Sequence, residues 1–119
     1  VVLITDSSLA AGLPPGEYRK DGGNIVKVDE NGRVINSEGR LAGSTLTLLE
    51  AFKNIIFELD ISLKKAVKMT SLNPASLLGI SKNQGSIKEG KYADLVVLNN
   101  SFNVEAVFLE GEIAYGEKK

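Results

Sequence analysis

A continuous run of apolar residues opens the chain and constrains its fold more than any other feature. The run is Val1-Val2-Leu3-Ile4, and Thr5 and Asp6 follow it. Strands without polar alternation are typical of parallel sheets, whose two faces are both covered by helices. Such a strand needs neighbours, and the sequence holds nothing before it. We therefore expect the chain to be a piece of a longer protein, although removal of a tag or of the initiator Met explains the same start.

The composition excludes several classes of function. The chain has 119 residues, and its 14 Lys and Arg against 15 Asp and Glu give a net charge of −1. A chain with this net charge has no excess of positive charge to attract nucleic acid or an anionic membrane. The absence of Cys excludes disulfides and thiol catalysis. The absence of His excludes imidazole catalysis and His-based zinc sites from this chain acting alone.

Strand signals lie on both sides of a helical middle region. They extend from Glu17 to Asn36, where Asn31-Gly32 predicts a hairpin turn between two strands. They return after Gly85, and the last two strands join across Glu110-Gly111. The three predicted late strands are Tyr92–Leu98, Val104–Leu109 and Glu112–Tyr115.

Helical spacing of apolar residues dominates the middle of the chain. We expect a first helix capped by Ser44 or Thr45, a second from Ser62, and a short third helix. Asn73 is the expected N-cap of the third helix, and Gly79 lies past its end. The first helix has a wide apolar face, so it should pack on something large. That face contains Leu48, Leu49, Phe52, Ile55, Ile56 and Leu59.

Two aspartates lie at the ends of predicted strands. Asp6 follows the first strand, and α/β barrels place their catalytic groups at the C-terminal ends of strands. Alternatively, the carboxylate of Asp6 caps the following turn, because Asp before Ser-Ser is common turn chemistry. The residues leave both interpretations open, and the local pattern by itself favours the cap. For Asp94, which begins a strand, a structural role such as holding the Gly90 turn is the better interpretation.

The segment Leu41-Ala42-Gly43-Ser44 offers a second candidate site. Gly43 would let a ligand or a second chain approach the backbone. The N-terminus of the helix behind it would present N–H groups suited to polar or anionic ligands. A plain junction between a loop and a helix explains the same spacing.

The segment Gly85–Lys91 imitates most of a phosphate-binding P-loop. The motif requires Ser or Thr next, but Tyr92 stands there, so the hydroxyl that contacts Mg²⁺ is missing. The segment also precedes a strand, whereas a P-loop follows one and opens a helix. We therefore interpret it as two glycine turns that enter a strand.

Four stretches of the sequence, taken in order, resemble a known family. They are Ile4–Tyr18, Leu41–Thr47, Thr70–Ala75 and Gly85–Leu98. Together they look like the C-terminal part of a member of the amidohydrolase superfamily, and the resemblance covers nearly the whole chain. The last two stretches recur in many amidohydrolases, including dihydroorotase-like proteins. The first two are more similar to the deacetylases that act on N-acetylglucosamine 6-phosphate.

The resemblance implies an α/β fold. Residues 1–84 would be the C-terminal portion of a metal-dependent (β/α)₈ amidohydrolase barrel, with Val1–Thr5 as its last strand. A β-hairpin insertion from Glu17 to Asn36 and the closing helices would complete this portion. Residues 85–119 would supply C-terminal strands of a small β-sandwich domain.

The resemblance also implies a site. Asp6 falls on the family's catalytic aspartate, and Leu41, Ala42 and Gly43 fall on a segment that contacts the substrate. The parent enzyme would use a divalent metal, zinc or similar, held by a Glu and two His that this chain lacks. No metal ligand is therefore assigned here. The family implies a cytoplasmic homodimer that acts on a small molecule, without nucleic acid or membrane.

Three hypotheses follow from these observations. The first is a fragment, inactive alone, of an enzyme that hydrolyses the acetamide of N-acetylglucosamine 6-phosphate to glucosamine 6-phosphate and acetate. The second is a fragment of another amidohydrolase, such as a dihydroorotase-like enzyme. The third is a non-catalytic interaction module derived from such an enzyme.

Overall fold

The computed structural model describes residues 1–19 and 22–116. It confirms a mixed α/β chain, which divides into two compact units. One unit is Leu3–Leu59, and the other is Val1–Val2 with the described part of Asp60–Lys119. The elements are β1 Gly16–Arg19, β2 Ile25–Val28, β3 Arg33–Asn36, β4 Leu41–Ser44, α1 Leu48–Phe57, α2 Leu63–Val67, a π-helical turn Lys68–Leu72, α3 Asn73–Leu77, β5 Leu95–Leu98, β6 Val104–Leu109 and β7 Glu112–Tyr115.

Four antiparallel strands, in the order β1-β2-β3-β4, form the sheet of the Leu3–Leu59 unit. Successive side chains of a strand point to opposite faces, so one face of this sheet collects the apolar residues. Val26 and Val28 of β2 and Val34 of β3 are buried there, together with Ala10. This small core supports the loop and strand on which the candidate site residues lie.

The predicted hairpin at Asn31-Gly32 is confirmed, and its turn is organised by one carboxylate. Oδ1 of Asp29 accepts hydrogen bonds from the backbone N–H groups of Asn31 and Arg33, both at 2.9 Å. Gly32 has a φ of +72° and closes the turn, with its N–H 3.0 Å from the Asp29 carbonyl. Glycine adopts this conformation without steric cost, which explains why the local sequence predicts the turn.

The prediction that Val1–Thr5 is a buried strand is wrong for the described chain. Val1 is 92% exposed and Ile4 is 73% exposed, and neither lies in a strand. The nearest pairing is a single parallel bridge between Ser7 and Ser44. A parallel strand forms only where neighbours satisfy its backbone N–H and C=O groups. Within residues 1–19 and 22–116, Val1–Thr5 pairs with no strand, and the Val1 and Thr5 carbonyls accept hydrogen bonds from the side chains of Asn73 and Ser44 instead.

The start of α1 also differs from the prediction. The residues from Leu41 to Ser44 form β4, which pairs with β3, and the helix N-cap is Thr47 instead of Ser44 or Thr45. The Thr47 hydroxyl accepts the Glu50 N–H at 3.2 Å, while the Glu50 carboxylate accepts the Thr47 N–H at 2.9 Å. This reciprocal capping box satisfies two donors at once and so prevails over a simpler cap upstream.

The wide apolar face predicted for α1 is only partly covered. Phe52 and Ile55 of that face are buried, whereas Leu48 is 46% exposed and Leu59, beyond the end of the helix, is 66% exposed. The middle of the predicted face is therefore buried, and both of its ends are exposed.

The predicted third helix is continuous with the second. The second helix begins after Ser62 as predicted, but Asn73 has helical φ and ψ of −66° and −46° and is no N-cap. A π-helical turn joins the two helices, and the Asn73 side chain instead donates to the Val1 carbonyl at 2.6 Å. Gly79, with a φ of +74°, ends the helix as predicted. Its N–H and that of Ile80 bond back into the last turn, as in a Schellman motif.

Three antiparallel strands, in the order β5-β6-β7, follow the helices. The bounds predicted for the last two strands are confirmed, whereas β5 is shorter than predicted and begins at Leu95. The Glu110-Gly111 turn joins β6 and β7 as expected. Among the described residues, no helix has the length and apolarity that crossing a bilayer requires.

Candidate functional site

An open cleft of about 670 Å³ lies within the Leu3–Leu59 unit. Three of the four predicted site residues line it, namely Asp6, Leu41 and Gly43. Ala42 does not, because side chains alternate along β4 and its methyl group packs against the valine core. The cleft therefore brings together one face of β4 and the residue predicted to be catalytic.

Asp6 has an unusual backbone conformation and an exposed side chain. Its φ is +51°, in the left-handed region that Asp tolerates better than most residues. Within the described ranges, nothing donates a hydrogen bond to its carboxylate. The neighbouring turn uses other acceptors, since Ser7 N–H bonds to Oγ1 of Thr5 at 3.2 Å and Ala10 N–H bonds to Oγ of Ser8 at 3.0 Å. The structure therefore does not bear out the alternative that Asp6 caps this turn.

Strand β4 holds the backbone of Asp6 by close approach. The Ser44 N–H donates to the Asp6 carbonyl at 2.7 Å, and the Ser8 N–H donates to the Ser44 carbonyl at 2.9 Å. Gly43, at a φ of +94°, lies so close that a Cβ there would be 2.8 Å from the Asp6 carbonyl oxygen. Only glycine fits without displacing that carbonyl. The close approach expected at Gly43 is thus made by Asp6 of the same chain.

The N-terminus of α1 is occupied by the helix's own acid. The Glu50 carboxylate accepts both the N–H and the hydroxyl of Thr47, at 2.9 and 2.8 Å. The bond from the Thr47 backbone, more than any other cause, lowers the pKa of Glu50 and keeps it ionised. An anionic ligand would meet this negative charge, so the expected anion-binding role of this helix N-terminus is not supported.

Polar residues that the sequence pattern does not predict also line the cleft. They include Asn31 and Arg33 from the β2–β3 hairpin and Asn54 from α1. Nε of Arg33 donates to Oδ2 of Asp29 at 2.7 Å. The backbone N–H of Arg33 lowers the pKa of Asp29 more than any other contact does. No local signal could have found these residues, because the register of β2, β3 and β4 places the hairpin beside the cleft and the packing of α1 in the same unit places Asn54 there.

The residues present do not fit a metal ion. The chain has no His and no Cys. In the described part of the chain, no three acidic side chains converge to form a group that could hold a metal. Structural and catalytic metal sites need about three or four such ligands. No metal ligand is therefore assigned within this chain.

Charged groups near β5 are used by the fold. Nζ of Lys91 donates to the Ser86 hydroxyl at 2.8 Å and to backbone carbonyls. The lysine of the segment that resembles a P-loop therefore already makes hydrogen bonds within the chain. Oδ1 of Asp94 accepts the Glu110 N–H at 2.8 Å. Asp94 is structural as predicted, but it holds the β6–β7 turn and not the Gly90 turn.

Comparisons with known proteins agree on one family. A model described as "Amidohydrolase family" matches residues 13–114. The N-acetylglucosamine-6-phosphate deacetylase of Vibrio furnissii is 40% identical over 116 residues, which are 97% of this chain and 28% of that protein. The N-acetylgalactosamine-6-phosphate deacetylase of Escherichia coli O157:H7 is 37% identical over 114 residues, covering 96% of this chain and 30% of that protein.

A solved structure shows the same likeness in three dimensions. The crystal structure of the N-acetylglucosamine-6-phosphate deacetylase from Thermotoga maritima matches with a TM-score of 0.86 and 38% identity. The match covers 98% of this chain and 31% of that one. The chain thus spans less than a third of the length of these three relatives.

Proposed function

The chain belongs to the amidohydrolase family, and from this membership we propose that it is the C-terminal part of a deacetylase. The proposed reaction hydrolyses the acetamide of N-acetylglucosamine 6-phosphate to glucosamine 6-phosphate and acetate. Its support is the name of the relatives together with one observation, the exposed Asp6 carboxylate that the described fold does not use. The chain is 40% identical to the Vibrio furnissii deacetylase over 97% of its own length.

Asp6 has the chemistry that the reaction requires. Amide hydrolysis forms a bond between a water oxygen and the carbonyl carbon and breaks the bond from that carbon to nitrogen. The water must lose a proton, and the departing amine must gain one. A carboxylate within hydrogen-bond reach of both can accept the first proton and donate it to the amine. We assign both roles to Asp6.

Leu41, Ala42 and Gly43 are proposed to contact the substrate through their backbone. β4 is one of the two edge strands of its sheet: within the described residues it pairs with β3 on one side, and no named strand pairs with its other side. Part of that side holds Asp6 through Ser44. Backbone groups beside it can orient the sugar phosphate relative to the carboxylate, which supplies positioning more than chemistry.

The family is generally metal-dependent, whereas the residues of this chain do not fit a metal site. We propose that the divalent ion of the whole enzyme, zinc or similar, is held by residues outside this chain, and no step of the mechanism is derived through it. The 119-residue chain alone is therefore expected to be inactive. Incubation of the purified chain with zinc and N-acetylglucosamine 6-phosphate checks this, and release of acetate would contradict it.

The architecture of the whole enzyme is part of the proposal. We assign residues 1–84 to the C-terminal portion of a (β/α)₈ barrel and residues 85–119 to a small β-sandwich domain. β5, β6 and β7 all lie after residue 84, as this division requires. The compact units divide between Leu59 and Asp60 instead, so the boundary at residue 84 rests on the resemblance to the family. A cytoplasmic homodimer that binds neither nucleic acid nor membrane completes the proposal.

The alternative substrate is N-acetylgalactosamine 6-phosphate, because two relatives, each 37% identical to this chain, are named for that sugar phosphate. The two sugars differ only in the orientation of one hydroxyl, and both present the same acetamide. Acetate release from each sugar phosphate by the longer protein that carries this chain, compared as kcat/KM, decides between them. Activity on a cyclic amide such as dihydroorotate instead would favour another amidohydrolase, and a native protein of only 119 residues would favour an interaction module.

The role of Asp6 is tested by Asp6→Asn in that longer protein. Asn removes the proton acceptor and tolerates the same left-handed φ. We expect kcat to fall roughly 100- to 10,000-fold, the usual contribution of a general acid–base group, with unchanged metal content. Asp60→Asn is the matched control, since Asp60 is exposed and has a φ of +52° but does not line the cleft. Near-normal turnover by Asp6→Asn would contradict the proposed mechanism.

A further inference from the structure

One residue of β4 contacts the chain on both sides of Asp6. Oγ of Ser44 donates to the Thr5 carbonyl at 2.6 Å, and the Ser44 N–H donates to the Asp6 carbonyl at 2.7 Å. The Ser44 carbonyl accepts the Ser8 N–H at 2.9 Å. Ser44 thus makes three hydrogen bonds to the segment from Thr5 to Ser8, which contains Asp6.

The Asp6 conformation depends on such contacts. A non-glycine residue with a φ of +51° is less favourable than in the right-handed region, and it persists only where its surroundings hold it. The residues before Asp6 give little support, because Ile4 is 73% exposed and lies in no strand. The described contacts that hold this backbone come mainly from Ser44 and from the close approach of Gly43.

The Ser44 hydroxyl is itself held in one orientation. It accepts the Leu46 N–H at 3.2 Å while it donates to Thr5. The Ser7 hydroxyl donates to the Leu46 carbonyl at 2.5 Å and so ties the residue after Asp6 to the same segment. The hydroxyl proton of Ser44 is thus directed at the Thr5 carbonyl, immediately before Asp6.

We propose that Ser44 is a positioning residue for the deacetylation, whose hydroxyl fixes the Thr5–Asp6 peptide so that the Asp6 carboxylate faces the cleft. This inference rests on the proposed function, because it gives Ser44 a role only through Asp6. Ser44 is not assigned a proton transfer or a contact with the reacting amide. Its contribution is the geometry of the carboxylate that makes the transfer.

The test compares variants of the longer, metal-loaded protein that differ in one hydroxyl. Ser44→Ala removes the donor, while Ser44→Thr keeps it. Ser44→Val has the shape of Thr without the donor and serves if the Ala variant does not fold. We expect kcat of the Ala and Val variants to fall roughly 10- to 100-fold, as for a small misplacement of a catalytic group. KM should stay within about twofold, because the contacts proposed for the substrate remain.

Two comparisons make the result specific. Ser44→Thr should recover most of the kcat that Ser44→Val loses, and Ser37→Ala, an exposed turn serine of the same unit, should match the parent. In an Asp6→Asn background, Ser44→Ala should cause no further loss, because residues that act as a unit are not additive.

The outcomes separate this inference from the proposed function. If Asp6→Asn abolishes turnover but Ser44→Val is as active as Ser44→Thr, the positioning role is overturned and the catalytic role of Asp6 stands. An additional loss from Ser44→Ala in the Asp6→Asn background also overturns it. If Asp6→Asn keeps its activity, both the catalytic assignment and the inference built on it fail.

Discussion

The two units of the chain each contain an aspartate beside a strand, and they use it in opposite ways. Asp94 accepts the Glu110 N–H at 2.8 Å and the Gln84 side-chain amide at 3.4 Å. The carboxylate of Asp6 accepts nothing from the residues for which the structure gives a position, and its backbone is in the left-handed region. A carboxylate that the fold does not use, at a position that costs backbone energy, is the better candidate for function.

Two tightly packed glycines show the same difference. A Cβ on Gly43 would lie 2.8 Å from the Asp6 carbonyl, so this glycine serves the candidate site. A Cβ on Gly85 would lie 2.6 Å from Cβ of Ala75 and 2.9 Å from the Ser71 carbonyl. Gly85 therefore lets a loop lie against the α2–α3 helix, and we expect its substitution to lower stability. Substitutions at each kind of position should separate stability from activity.

The largest effect on stability is expected from Gly85→Ala. The new Cβ must displace neighbouring backbone atoms, and the alanine must adopt a φ of +83°, which is strained for any residue with a side chain. We therefore expect a loss of roughly 2–4 kcal/mol in the free energy of unfolding. Gly90→Ala is the matched control, since Gly90 has a φ of +81° but nothing within 4 Å. It should cost only about 1 kcal/mol. Urea unfolding followed by far-UV circular dichroism measures both, and equal losses would show that packing at Gly85 is unimportant.

A smaller loss is expected from Asp94→Ala. It removes the acceptor that holds the β6–β7 turn and should lower the free energy of unfolding by about 1–2 kcal/mol. The loss is no larger because the Glu110 N–H is exposed and can bond to water instead. Glu89→Ala removes an exposed carboxylate from the same unit and should change stability by less than about 0.5 kcal/mol. If kcat of the longer protein fell with Asp94→Ala, the contrast between the two aspartates would be lost.

Glu50→Gln tests the capping box of α1 and its pH dependence. Contacts with Thr47 lower the pKa of Glu50, so the charged carboxylate stabilises the fold fully above the ordinary Glu pKa of about 4.3. That contribution is lost as the pH falls through the lowered folded pKa. We expect Glu50→Gln to lower the free energy of unfolding by about 0.5 kcal/mol at pH 7. It should have no effect at a pH so low that Glu50 is protonated in both the folded and the unfolded state. Glu58→Gln, at the other end of α1, should show no such loss, and a loss that persisted in acid would contradict the electrostatic origin.

The smallest effect on stability is expected from Asp6→Asn. No described residue donates to this carboxylate, so the free energy of unfolding should change by less than about 0.5 kcal/mol. Combined with the large loss of turnover expected for the same variant, this would be the inverse of Asp94→Ala. A destabilisation as large as that of Asp94→Ala would mean that the fold uses Asp6 after all.

Local sequence signals predicted the elements whose hydrogen bonds close within a few residues. The turn at Asn31-Gly32 depends on Asp29 two to four residues away, and Gly79 ends its helix through carbonyls of the preceding turn. The β6–β7 hairpin likewise joins strands that adjoin in the sequence. Backbone conformation and short-range donors decide these features, so the residues themselves specify them.

The candidate site could be recognised only in part. Asp6, Leu41 and Gly43 were reachable from the sequence through their resemblance to a family, and they do line one cleft. Arg33 and Asn54 were not, since their place beside the cleft depends on how the hairpin and α1 are arranged in the unit. The sequence gives the type of each side chain, but only the fold determines which side chains lie next to one another.

Tertiary structure alone decided the features whose partners are far away in the chain. Val1–Thr5 has the sequence of a buried strand, yet a strand requires partners, and in the described part of the chain none pairs with these residues; the nearest bridge joins Ser7 to Ser44. Asn73 has the sequence of an N-cap, but its amide bonds to Val1, 72 residues away. Asp94 finds its main donor 16 residues later. The sequence by itself therefore determined where the chain turns and which of its residues can form a helix or strand. The long-range hydrogen bonds decided which carboxylate became part of the fold and which was left exposed at the cleft.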